Sequence, residues 1–126
     1  MLVLDSGGLS RLTARTKTSL ALIREFTEQE LWPPIVPTVV LVESLYGDPR
    51  RDAISQRFLK MCIVESSVSG VTARRAAGLR RLARAGSAVD ALVVAIAEPG
   101  GIVLTGDRAD IEALAAHAER VAVEVV

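Results

Sequence analysis

The stretch S-A-V-D-A-L-V-V-A-I-A-E, Ser87–Glu98, reads as a buried helix with one carboxylate, Asp90, near its first turn. It contains the longest apolar run of the chain, Ala91–Ala97, bounded by Asp90 and Glu98. Three other stretches set an acid beside an apolar run: L-V-L-D ending at Asp5, V-V-L-V-E ending at Glu43, and I-V-L-T-G-D ending at Asp107. The expectation is that Asp90 faces these three across one cleft, held together by the rest of the chain.

Working outward from that helix, apolar runs of strand length alternate with amphipathic segments. Leu2–Leu4, Ile35–Pro37, Met61–Val64, Ile102–Leu104 and Val121–Val125 read as short strands. Between them, Leu9–Ala14 reads as one or two helical turns after a Ser6-Gly7-Gly8 turn. Thr18–Glu30, Val39–Tyr46 capped by Thr38, Arg51–Lys60, Val71–Ala85 and Arg108–His117 read as helices. Trp32-Pro33-Pro34, Gly47-Asp48-Pro49, Gly86 and Pro99-Gly100-Gly101 punctuate them. The arginine-rich helix has Ala76, Leu79 and Leu82 or Ala83 as its inner stripe, and Trp32 and Cys62 are read as packing residues. Strands alternating with helices predict an α/β fold: one domain over residues 1–126, with a central, mainly parallel sheet of about five short strands flanked by helices. The inner strands are continuous apolar runs, as parallel strands covered on both faces require.

The 126 residues fit a single domain able to bury roughly two-thirds of its unfolded surface. Half of them are hydrophobic and the mean hydropathy is +0.36, so part of the apolar surface is expected to face a partner, most simply a second copy. No apolar run approaches the about 20 residues of a membrane helix. Met1 leads straight into a strand-like run without a basic leader, and there is a single cysteine, so a cytoplasmic protein without a disulfide framework is expected. With 15 basic and 15 acidic residues the net charge is zero, which argues against gripping nucleic acid by bulk charge. It leaves room for a basic patch, and Arg74, Arg75, Arg80, Arg81 and Arg84 crowd one segment that is either a phosphate-binding surface or a solvated helix face.

Each acid alone has an ordinary explanation. Asp5 can satisfy donors of the turn behind it. Asp107, with Asp110 three residues on, suits a helix N-cap, and Ser87-x-x-Asp90 suits a capping box. Glu43 sits in a mostly apolar helix with no basic residue three or four positions away, so it lies at the helix rim or is paired across space. Jointly they say more. Asp5 and Asp107 lie at the carboxyl ends of predicted parallel strands, the edge where open α/β sheets bind ligands. Acids converging there repel one another unless a cation sits among them. An oxygen-only donor set, with no His or Cys cluster, selects Mg²⁺ or Mn²⁺, ions that activate water and clamp phosphate. His117 is read as a surface residue. No G-x-x-x-x-G-K, G-x-G-x-x-G, G-x-S-x-G or C-x-x-C occurs.

V-L-D-S at the N-terminus, V-P-T-V-V-L-V-E-S-L-Y-G, S-A-V-D-A-L-V-V-A-I-A and V-L-T-G-D-R-A-D-I, in this order and spacing, run nearly end to end. The chain resembles the PIN-domain ribonucleases, specifically the VapC-type toxins of VapBC toxin–antitoxin pairs. The resemblance implies a Mg²⁺- or Mn²⁺-dependent endoribonuclease in which Asp5, Asp90 and Asp107 ligate metal and Glu43 ligates it or orients the attacking water. Ser6 and Thr105 match small polar positions near the metal. It further implies a homodimer, a VapB-type antitoxin whose tail occludes the cleft, a structured RNA substrate such as tRNA or rRNA, and inhibition of translation. Gly7-Gly8 stands where better helix formers are usual, and Asp110 competes with Asp107 as fourth acid; Asp107 is favoured because it directly follows strand and turn. The alternatives are a PIN-like nuclease of RNA processing and a non-catalytic interaction module of the same fold.

Overall fold

The computed structural model describes residues 1–126. The chain runs β1 (Leu2–Leu4), α1 (Ser6–Thr13), α2 (Lys17–Glu28), β2 (Ile35–Pro37), α3 (Thr38–Ser44), α4 (Ala53–Leu59), β3 (Ile63–Glu65), α5 (Gly70–Ala83), α6 (Ala88–Ala97), β4 (Ile102–Thr105), α7 (Arg108–Ala115) and β5 (Ala122–Val125). The five strands form one sheet in the order β3-β2-β1-β4-β5, every pair parallel. The expected α/β architecture is therefore present, with the sheet wholly parallel.

β1 is the centre. All three of its residues are fully buried, and it pairs with β2 through Val3 and Ile35 and with β4 through Leu2–Leu4 and Ile102–Leu104. Burial fades toward the edges, where β3 and the alternating β5 face solvent on one or both sides. Right-handed crossovers put helices reached from β1 and β2 on one face and those reached from β3 and β4 on the other. The contacts follow that division. α1 touches α2, α3 and α4 as well as the sheet, whereas α6 touches α5, α7 and the sheet. α6 is apolar almost all round because it is the inner helix of its layer: Ala91, Val93, Val94, Ala95 and Ala97 are all buried. Trp32 packs edge-on to Phe58, ring centroids 6.1 Å apart, in the packing role expected of it.

Several boundaries move, each for a local reason. α1 begins at Ser6, three residues before the expected Leu9, because the Asp5 carboxylate caps it by accepting from Gly8 N at 2.8 Å. α2 begins at Lys17 because Thr16 caps it through Ser19 N. Pro37, not Thr38, is the N-cap of α3, which ends at Ser44 and not at Tyr46. There the buried Asp52 carboxylate draws in the amides of Tyr46, Gly47 and Asp48 at 2.9, 2.9 and 3.2 Å, pulling the chain out of the helix. β3 starts two residues later than expected. Cys62 therefore lies in the turn before it, its thiol against Phe58 O, and burial pushes that thiol up to about 11. On α5 the inner stripe is Ala76, Leu79 and Ala83, and Leu82 points outward.

Candidate metal centre

The strand order places a switch point between β1 and β4. From the carboxyl end of β1 the chain turns toward β2, and from that of β4 it turns the other way, toward β5. The two departures open a crevice at the sheet edge, the usual ligand position in open α/β sheets. An open cleft of about 440 Å³ lies there, lined by Asp5, Ser6, Gly7, Glu43, Ser87, Asp90, Gly106 and Asp107, with no apolar side chain among them. Asp5, Glu43, Asp90 and Asp107, which come from four separate stretches of sequence, thus line one cleft.

Glycine makes the cleft possible. A Cβ on Gly7 would lie 2.5 Å from Gly106 N, and one on Gly8 would overlap Leu104 O. The first turn of α1 therefore lies backbone against backbone on β4 and the turn that follows it, drawing Asp5 and Asp107 to the same wall. The Gly7-Gly8 pair, standing where better helix formers are usual, is what lets this turn close.

Asp5 forms the floor and is 5% exposed. One oxygen accepts from Gly8 N and the other from the Thr105 hydroxyl, which is fully buried and also accepts from Asp107 N at 2.8 Å. Thr105, expected near the metal, thus ties two of the acids together from beneath. Burial pushes the Asp5 carboxyl above its ordinary value. The Thr105 hydroxyl and the Gly8 and Gly106 amides pull the other way, and the charge of Asp90 adds a smaller push upward.

The two helix-capping explanations are also realised. Asp90 Oδ2 accepts from Ser87 N at 2.9 Å in a reciprocal capping box, and Asp107 Oδ1 accepts from Asp110 N at 3.3 Å as N-cap of α7. Capping occupies one oxygen of each and leaves the other available. It also brings the N-terminal ends of α1, α6 and α7 to the cleft, where their dipoles favour negative charge. Asp110 adds to the group: carboxylate oxygens of Asp90, Asp107 and Asp110 lie within 4.8 Å of one another, while Asp5 stands outside this triad. Asp107 and Asp110 are therefore neighbours in one cluster. Glu43 is exposed on the last turn of α3.

The donor set fits a hard divalent cation. All candidate ligands are oxygens, and neither ion pair of the molecule, Arg75–Glu98 or Arg120–Glu119, reaches them, so their charge is uncompensated within the chain. Ser6 lines the cleft beside Asp5. His117 is exposed and contributes only its carbonyl, to Arg75. Sequence reading passed over Ser87 as a lining residue and Gly106 as the point of close approach; both had seemed ordinary cap and turn residues. A scan against protein-family models and a search of the curated proteins found no match to this chain.

Proposed function

We propose that the chain is a Mg²⁺- or Mn²⁺-dependent endoribonuclease, acting as the toxin of a type II toxin–antitoxin pair. The observation that carries the catalytic part is the convergence of Asp5, Glu43, Asp90 and Asp107, from four elements, on one polar cleft at the β1/β4 switch point. The toxin part rests on the sequence resemblance to VapC-type proteins. Asp5, Asp90 and Asp107 would hold the cation, with Asp110 in reach of the last two. When bound, such an ion lowers the pKa of a coordinated water and neutralises charge on the phosphate in flight. The chain's own residues do the rest. Thr105 and the Gly8 amide fix the rotamer of Asp5. Glu43 is an exposed carboxylate that lines the cleft, suited to accepting a proton from attacking water. A homodimer, a VapB-type antitoxin whose tail fills the cleft, and a tRNA or rRNA target complete the proposal.

The deciding experiment is induced expression of the wild type beside Asp90→Asn, with RNA ends mapped from both cultures. Asparagine keeps the carbonyl oxygen that caps α6 and loses only the carboxylate charge, so capping and metal ligation are separated. Growth arrest and new RNA ends in the wild type alone are expected. Arrest in both cultures would mean toxicity without catalysis. Soluble wild type that neither arrests growth nor is stabilised by millimolar Mn²⁺ would leave a non-catalytic module.

A further inference from the structure

Beside the acidic cleft lies a second groove, of about 490 Å³, walled by α1, α3 and α4. Ser6 and Glu43 line both, so the two adjoin. Ser10, Thr13, Ser44 and Ser55 line it; the Thr13 hydroxyl donates to Leu9 O and Ser44 Oγ is shut off from solvent without a hydrogen-bond partner, which leaves the hydroxyls of Ser10 and Ser55 free toward the groove. At its rim stands Tyr46, the one tyrosine of the chain, 67% exposed. The Arg51 guanidinium lies over its ring, 3.6 Å from the centroid, and forms no ion pair. The backbone beneath the ring is held, because the buried Asp52 carboxylate accepts from the amides of Tyr46 and of the next two residues.

We infer that Tyr46, backed by Arg51, is a stacking platform for one unpaired base of the substrate, next to the phosphodiester held at the acids. The inference rests on the nuclease reading. A solvent-facing aromatic ring with a cation behind it is an arrangement on which proteins stack bases of single-stranded nucleic acid. Hydroxyls along a groove suit sugar and phosphate oxygens. Within a duplex a base is already stacked and paired, so the platform is served only by a loop, a bulge or a single strand. Because every base has a π-face, the platform selects strandedness more than sequence.

The test is the binding of a short fluorescent single-stranded ribo-oligonucleotide in the Asp90→Asn background with Mn²⁺ present, where the RNA stays intact. Tyr46→Leu keeps the bulk and removes the ring, and is expected to weaken binding about tenfold. Tyr46→Phe and Tyr46→Trp are expected to retain it. One abasic position in the oligonucleotide should reproduce the loss with Tyr46 present and add nothing to Tyr46→Leu, the signature of a coupled pair. A blunt-ended, fully paired duplex should bind Tyr46 and Tyr46→Leu proteins alike. Equal affinity of Tyr46→Leu and Tyr46→Phe, or an abasic scan with no sensitive position, overturns the platform. The nuclease reading is judged separately, by cleavage in the protein with Asp90 intact. Cleavage without Tyr46 dependence sinks the platform alone. Tyr46-dependent binding without cleavage sinks the nuclease alone, no binding where cleavage occurs sinks the platform alone, and neither binding nor cleavage sinks both.

Discussion

Asp5 carries a carboxylate to a floor position where the Thr105 hydroxyl and the Gly8 and Gly106 amides reach it but no cation of the protein does. Its folded pKa is raised above the ordinary 3.8, so ionisation costs the metal-free fold stability. The sign follows directly. Below pH 3.8 the group is protonated in folded and unfolded chains alike and nothing is lost. As pH rises through 3.8 toward the folded value the unfolded chain ionises first, and stability falls to a plateau at neutral pH. Asp5→Asn is therefore expected to raise the metal-free melting temperature at pH 7, with the gain vanishing toward pH 3, and to abolish the upward shift produced by Mn²⁺. Melting curves with and without the ion check both. A variant less stable than wild type without metal, at every pH, would contradict this account of the site. The acids themselves were legible in the sequence, because Asp5, Glu43 and Asp107 each close an apolar stretch and Asp90 opens one. Asp52 was not: it anchors a loop through three amides, and nothing in its sequence neighbourhood announces that role.

At the scale of elements, the first turn of α1 is decided by two glycines. Gly8→Ala is expected to cost about 3 kcal/mol in urea unfolding, because the new methyl group meets the Leu104 carbonyl, which cannot leave the sheet. Gly78→Ala is the contrast. It lies within α5, a Cβ there meets nothing, and a gain of about 0.5–1 kcal/mol is expected. If both substitutions proved equally damaging, close packing of α1 on β4 would not be the reason for the glycines. The sequence could identify Gly7-Gly8 only as poor helix formers, since the residues they accommodate lie about a hundred positions away. Strand and helix order was readable from periodicity, whereas the end of α3 depended on Asp52, a residue beyond the helix that draws the following amides away. A second tie of this kind is Glu98. It takes two bonds from Arg75 of α5, at 2.8 and 2.9 Å, and one from Glu119 N, and Arg75, chiefly by hydrogen bonding, holds its pKa below the ordinary value. The stability it contributes is present above pH 4.5 and lost as pH falls through the folded value. Glu98→Gln should cost about 1 kcal/mol at pH 7, Arg75 being largely solvent-exposed, and almost nothing near pH 3. A pH-independent difference would assign the effect to packing.

For the whole molecule, a net charge of zero conceals an uneven surface. The β1/β4 crevice is acidic, while Arg80, Arg81 and Arg84 line a shallow concavity of about 420 Å³ at the end of α5. Gly86 borders that concavity and Ser87, the next residue, borders the acidic cleft. A polyanion approaching the acids passes these arginines, none of which is held in an ion pair. Replacing Arg80 and Arg81 together by Gln is expected to weaken binding of every RNA sequence equally. It should also flatten the dependence of log affinity on log salt by about 1–2. An unchanged slope would make the segment a solvated face.

The Thr105 hydroxyl that locks Asp5 comes from 100 positions downstream, across the two central strands. During synthesis Asp5 leaves the ribosome early and waits, uncapped on that side, until β4 follows. Through most of its own translation the nascent chain therefore has no finished cleft. Fragments ending before Thr105 lack the hydroxyl that holds Asp5, so under the nuclease proposed above they are expected to be inactive.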